Sequence, residues 1–112
     1  MKKDYIFVYG LFRDQSKKIM GDTTWCGKSS VKGKLFKVNE FYPGFVPDNN
    51  SVVWGDIYLF DPKQLPEMDE YEGDEYIRTK ILTSSDIECW IYQYKNDTST
   101  IEEIKSGDWY LR

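Results

Sequence analysis

Apolar and polar positions alternate with a period of two over much of this chain, as in strands with one face in water. Val31-Lys32-Gly33-Lys34-Leu35-Phe36-Lys37-Val38 shows the alternation plainly, and Tyr76-Ile77-Arg78-Thr79-Lys80-Ile81-Leu82-Thr83 repeats it. Asp4-Tyr5-Ile6-Phe7-Val8-Tyr9 and Val52-Val53-Trp54-Gly55-Asp56-Ile57-Tyr58-Leu59-Phe60 are denser runs of β-branched and aromatic residues. The first ends at Gly10, and Gly55 within the other marks a bulge or a close backbone approach. Ile87-Glu88-Cys89-Trp90-Ile91-Tyr92-Gln93-Tyr94 follows a turn at Ser84-Ser85-Asp86, which predicts a hairpin with the strand before it. Asp14 to Met20 reads as a helical turn, Tyr42-Pro43-Gly44 as a turn, and Asp48-Asn49-Asn50-Ser51 as a loop. Five or six strands and one clear helix predict an α+β fold: a small closed or strongly curved sheet, a barrel with a helix packed across it.

The helix is marked at both ends. In Asp61-Pro62-Lys63-Gln64-Leu65-Pro66-Glu67-Met68-Asp69-Glu70-Tyr71-Glu72-Gly73, Asp61 suits the N-cap, Pro62 the first helical position and Gly73 the stop. Pro66 leaves a second option, a turn at Leu65 followed by a shorter helix. At about 100° per residue, Leu65, Met68 and Glu72 fall within roughly 60° of one another, while Glu67 and Glu70 point away. A carboxylate thus shares the apolar face, at the negative end of the helix macrodipole. Burial and dipole both disfavour its charged form and raise its pKa, as a general base working near neutral pH requires. The alternative is structural: Glu72 neutralised by Arg78, six positions on.

Composition narrows the chemistry. At 112 residues the chain predicts a single domain spanning 1–112, and 40% hydrophobic with 17% aromatic content predicts an ordered core. Net charge is −4 and the longest basic run is short, which disfavours nucleic-acid and anionic-membrane partners. No apolar stretch approaches a membrane span, and no N-terminal apolar segment with a cleavage site is present, so a cytoplasmic location is expected. Cys26 and Cys89 make no metal-binding spacing and are expected to be free thiols, Cys89 buried in a strand. The chain has no histidine. Ser-His-Asp and Cys-His machinery are therefore excluded, a zinc site would lack imidazole ligands, and no metal is expected. Proton transfer falls to a carboxylate, tyrosine, lysine or water.

A second candidate element is Val8-Tyr9-Gly10-Leu11-Phe12-Arg13, which leaves the first strand through a glycine. Successive amide N–H groups of Gly10, Leu11 and Phe12 can face a carboxylate or a developing oxyanion. A plain turn is the simpler reading, with Arg13 solvated or structural. Trp54 and Trp90 are expected in the core.

Together these pieces resemble the γ-glutamylcyclotransferase-like proteins. Val8 to Arg13 is similar to that family's Val-Tyr-Gly-Thr-Leu-Arg signature, and Tyr42-Pro43-Gly44 to its Tyr-Pro-Gly turn. Val53-Trp54-Gly55-Asp56-Ile57-Tyr58 resembles its Val-x-Gly-Glu-Leu-Tyr strand. Met68-Asp69-Glu70-Tyr71-Glu72-Gly73 with Tyr76-Ile77-Arg78 resembles its Leu-Asp-x-Tyr-Glu-Gly block, and Ser106-Gly107-Asp108-Trp109 its Gly-Asp-Trp close. The motifs run in family order from residue 8 to residue 109. The resemblance implies a small mixed β-barrel with flanking helices and a cavity at its mouth. It implies conversion of a γ-glutamyl amine or γ-glutamyl amino acid to 5-oxoproline and free amine, without a cofactor. Glu72 matches the catalytic glutamate, and Tyr9, Gly10, Leu11 and Phe12 match the substrate-gripping loop. Tyr110 is a further candidate for lining the cavity. Leu11 stands where members often have Thr or Ser, and Phe12 replaces Leu. Those departures motivate an alternative, a catalytically silent small-molecule binding module of the same fold.

Overall fold

The computed structural model describes residues 3–10, 13 and 21–112. The helical turn expected at Asp14 to Met20 lies outside the described residues, as do Leu11 and Phe12. Six strands form one mixed sheet: β1 (Asp4–Val8), β2 (Thr23–Lys37), β3 (Pro43–Phe60), β4 (Tyr76–Leu82), β5 (Glu88–Tyr94) and β6 (Glu102–Glu103). The strand order is β4-β5-β1-β3-β2-β6. One α-helix, α1 (Leu65–Glu72), follows a 3-10 turn at Pro62–Gln64.

The sheet curls because β3 has two sets of neighbours. Its C-terminal half runs antiparallel to β1, from Val8↔Asp56 to Asp4↔Phe60. Its N-terminal end meets β5 in parallel at Phe45↔Gln93, while β5 also pairs with β1 at Ile6↔Trp90. Because β3 pairs with β1 and also reaches β5 on the far side of β1, the sheet is drawn into a half-barrel. Gly55 permits the tight approach of β3 to β1, since a Cβ there would sit 2.7 Å from the Phe7 ring.

The expected β4–β5 hairpin is present, paired from Tyr76↔Tyr94 to Leu82↔Glu88. Two other expectations are corrected. Tyr42-Pro43-Gly44 is not the turn itself: the chain bends over 38–41, and Pro43 already opens β3. Residues 48–51 are no separate loop but an excursion within the 18-residue β3. The register there passes from Gly33↔Pro47 to Lys32↔Val52, leaving those residues between paired positions. A bulge lets a long strand bend while keeping its faces in phase, so polar turn-like residues sit inside one element.

Side-chain alternation sorts β1 into two roles. Phe7 and Tyr9 join Leu35, Phe45, Ile57, Ile91 and Trp109 in the barrel interior. Ile6 and Val8 face the other way and meet Phe60, Leu65, Met68 and Tyr92 beneath α1. The segment expected as one helix is split, as the Pro66 option allowed. Asp61 Oδ1 accepts the Lys63 amide at 3.0 Å and caps the 3-10 turn, α1 starts after Gln64 without a side-chain cap, and Gly73 ends α1 at φ 78°. Pro66 is accommodated near the start of α1, where its missing N–H costs no helical hydrogen bond. Met68 is fully buried, which stabilises the helix on the sheet by about 1.5–3 kcal/mol. Cys89 is buried and Cys26 exposed, both as free thiols. Trp54 and Trp90 are not in the core: Trp54 is 39% exposed beneath Lys28, and half-buried Trp90 donates to Asp4. Trp54 follows the fully buried Val53 and so points to the opposite, solvent-side face of β3. Among the described residues no helix is long and apolar enough to cross a membrane.

Candidate active site

The face of α1 that buries Leu65 and Met68 continues into Glu72, as the spacing predicts. One turn beyond Met68 the sheet gives way to a cavity of ≈ 320 Å³, and Glu72 lines it. The rest of the wall is Phe7, Val8, Tyr9 and Gly10 from β1 and its exit, Tyr42 and Pro43 at the start of β3, Tyr71, Tyr76 and Tyr92. No lysine or arginine is among these lining residues. Glu72 makes no ion pair or hydrogen bond among the described residues, and burial alone pushes its carboxyl up to about 7.

The tyrosines present rings to the cavity and send hydroxyls elsewhere. Tyr42 donates to Glu75 Oε1 at 3.0 Å, Tyr76 to the Pro43 carbonyl at 2.6 Å, and Tyr92 to Asp69 Oδ1 at 2.6 Å. Tyr9 donates to the Tyr92 carbonyl at 2.6 Å and accepts the Phe45 amide at 3.2 Å. Its hydroxyl thus joins β1 to β5 and β3 where the half-barrel closes, and burial holds it protonated. Removing that hydroxyl leaves two buried main-chain groups without a partner, each costing about 1–3 kcal/mol. Tyr9→Phe is therefore expected to lose about 2–6 kcal/mol in denaturant titration.

Glu72 is then the one carboxyl on the wall, unclaimed and close to neutral pH in its proton affinity. The family model for gamma-glutamyl cyclotransferase, AIG2-like, matches residues 6–111, nearly all of this wall and its supports. The chain belongs to that family. The Escherichia coli protein ytfP, solved by NMR, is 34% identical, with 94% of this chain and 95% of that one covered and a TM-score of 0.74. A mouse AIG2-like protein is 21% identical, with 94% and 88% covered and a TM-score of 0.77. A structure described as gamma-glutamyl cyclotransferase is 17% identical, with 91% and 70% covered and a TM-score of 0.67. The last two likenesses concern the fold. No curated protein matches the sequence.

The family's motifs converge on the cavity unevenly. Gly10 lines it, and has no room for a side chain: a Cβ would lie 2.7 Å from the Pro43 ring. Tyr110 is not among the lining residues; its half-exposed ring lies under the Arg13 guanidinium at 4.1 Å. Arg13 is structural rather than solvated, bonded to Asp56 at 2.7 Å and Asp108 at 3.0 Å with its side chain 5% exposed. The Gly-Asp-Trp close thereby anchors the exit of β1. Asp108 also caps the final 3-10 turn by accepting the Tyr110 amide, and Trp109 fills the core.

The structural alternative for Glu72 is overturned, because Arg78 pairs with Asp69, at 2.8 and 3.1 Å. Hairpin register sets Arg78 opposite Tyr92, whose hydroxyl already reaches Asp69. Sequence reasoning did not single out Tyr42, Tyr76, Tyr92 or Asp69 for the site. Tyr42, Asp69 and Tyr76 stand in family motifs and were within reach, whereas Tyr92 sits in an expected strand that carries no motif, and no local signal marks it. Among the described residues no group of three His, Cys, Asp or Glu side chains could hold a metal ion.

Proposed function

We propose that this protein is a γ-glutamyl cyclotransferase that releases 5-oxoproline and a free amine or amino acid, with Glu72 moving the proton. The carrying observation is the unpaired Glu72 carboxyl on the wall of an aromatic cavity, with its pKa lifted to about 7. A γ-glutamyl α-amine arrives as an ammonium and cannot attack until it loses a proton. Ionised Glu72 takes that proton, and the freed nitrogen attacks the γ-carbonyl to close a five-membered ring. The amide C–N bond then breaks as Glu72 returns the proton to the departing nitrogen, and the ring nitrogen gives up its second proton to the released amine. Binding the folded conformer supplies much of the remaining acceleration, since well-oriented ring closures recover about 7–11 kcal/mol of barrier at best.

The substrate's α-carboxylate and the developing oxyanion need donors, and the described lining residues provide no cationic side chain. We assign that task to main-chain N–H groups at Gly10 and the loop it opens, Leu11 and Phe12. The committed tyrosine hydroxyls leave ring faces to shape the rest of the pocket.

A panel of γ-glutamyl amines and dipeptides, with 5-oxoproline followed by mass spectrometry, tests this directly. Product that depends on Glu72 is expected. Its rate should climb as pH rises through about 7 and level off above, because the ionised carboxylate is the base. A folded protein that forms no product across the panel, while still binding glutamate-like ligands, would make it the silent binding module.

A further inference from the structure

Glu72 stays unpaired although an arginine reaches Asp69, the carboxylate one turn before it on α1. Asp69 precedes it by one turn on α1, so the two carboxylates are neighbours on the helix surface. Arg78 approaches Asp69 from β4 in a two-point contact, with its other side against the Trp90 ring at 4.5 Å. Tyr92 approaches from β5: its ring lines the cavity beside Glu72, yet its hydroxyl goes to Asp69 Oδ1 at 2.6 Å. The arginine and the tyrosine hydroxyl are thus both bound to a carboxylate other than Glu72. Among the described residues the other titratable groups lining the cavity with Glu72 are Tyr9 at the exit of β1, Tyr42 from the bend before β3, Tyr71 from α1 and Tyr76 from β4. Glu75 stands behind Tyr42, whose hydroxyl it accepts.

We propose that Asp69 is a positioning residue for the acid–base step, holding the Arg78 guanidinium and the Tyr92 hydroxyl away from Glu72. Resting on the cyclotransferase reading, this adds the group that sets the working pH. The Asp69 carboxyl is held below its ordinary value, chiefly by Arg78, so it keeps its charge throughout the working range. An ionised Asp69 outcompetes Glu72 for the arginine because Glu72 would first have to surrender a proton inside the cavity. The division of labour puts one carboxylate in charge of neutralising the arginine and leaves the other free to titrate. Without Asp69, Arg78 turns to Glu72 and makes it a stronger acid and a weaker base.

The test is the titration of the Glu72 side-chain carboxyl by carbon-detected NMR, which needs no turnover. In Asp69→Asn its midpoint is expected to fall by one unit or more, and Asp69→Asn/Arg78→Met should restore it. The low-pH limb of 5-oxoproline formation should move with it, raising the rate relative to plateau about five- to tenfold at a pH one unit below the wild-type midpoint. A merely structural Asp69 would lower the melting temperature and leave the midpoint in place. A midpoint within a few tenths of wild type in folded Asp69→Asn overturns the proposal, as does a fall that Arg78→Met fails to reverse. Asp69 has a 41% exposed side chain, so Asp69→Ser offers a second neutral replacement, read in the same way should the asparagine variant not fold. If no variant turns over substrate, wild type included, the cyclotransferase reading fails while the NMR titration still decides the role of Asp69.

Discussion

Glu72→Gln is expected to abolish product formation, with kcat falling about 10²–10⁴-fold, while leaving the protein as stable or more so. The amide matches the carboxyl in shape but can neither accept the ammonium proton nor return one. The stability half follows from linkage. Burial lifts the Glu72 carboxyl from its ordinary 4.5 to about 7 in the folded protein, so the native state holds a proton that the unfolded chain releases. Between those two values stability falls as pH rises, and above about 7 the full penalty of a buried charge is present. At roughly 1.4 kcal/mol per unit, that penalty is on the order of 3 kcal/mol. Glutamine carries no such burden. The variant should therefore melt above wild type at pH 8, by several degrees, and the gap should close below pH 4.5. Thermal melts at both pH values check this alongside the activity assay. A catalytically dead variant equally destabilised at both would mean that Glu72 holds the fold together.

Arg13→Met is expected to be the most destabilising of the surface-to-core substitutions near the site. The guanidinium has its side chain 5% exposed, and Asp56 and Asp108, at 14% and 6%, face it from β3 and the C-terminal turn. Removing one partner from a buried ion pair leaves uncompensated charge, at a cost of about 3–5 kcal/mol. Lys28 gives little relief, reaching only Asp108, at 3.7 Å from a half-exposed side chain. For a domain of this size the melting temperature should drop by about 10–20 °C. The arginine side chain anchors the residue whose main-chain N–H bonds the Gly10 carbonyl at 3.0 Å, so loosening it should lower substrate affinity more than turnover. Replacing Asp56 and Asp108 by asparagine in the same chain should recover part of the stability, because the stranded charges are then gone. A melt within a few degrees of wild type would mean that water reaches the two aspartates.

What could be read from the sequence was local. Asp61 and Pro62 announce the 3-10 turn and Gly73 the end of α1, because capping depends on residues a few positions away. The β4–β5 hairpin is likewise legible, with its turn at Ser84-Ser85-Asp86. Residues 48–51 mislead for the complementary reason: Asp-Asn-Asn-Ser is turn chemistry, and only pairing with β2 on both sides keeps it within a strand. Val52-Val53-Trp54 hides its alternation under three apolar residues, so the outward-facing Trp54 passes for core. At the site, Glu72 could be identified from helical spacing alone. Its surroundings could not, because Tyr92 and Arg78 become neighbours of Asp69 only through hairpin register and the packing of α1. Sequence distance favoured Arg78 as partner for Glu72, and three-dimensional distance gave it to Asp69.

The place where β5 meets β3 lies next to the cavity, and this ties occupancy to cohesion. Only one residue pair, Phe45↔Gln93, joins those strands directly, reinforced by the Tyr9 hydroxyl. A molecule resting against Tyr9, Pro43, Tyr76 and Tyr92 touches segments brought together from distant parts of the chain, and so acts as a removable crosslink. Filled at a hundredfold excess over its Kd, such a ligand adds about 2.7 kcal/mol to the closed form. The Phe45 amide becomes a natural reporter: its hydrogen exchanges with solvent when the junction breathes, and more slowly when substrate spans it.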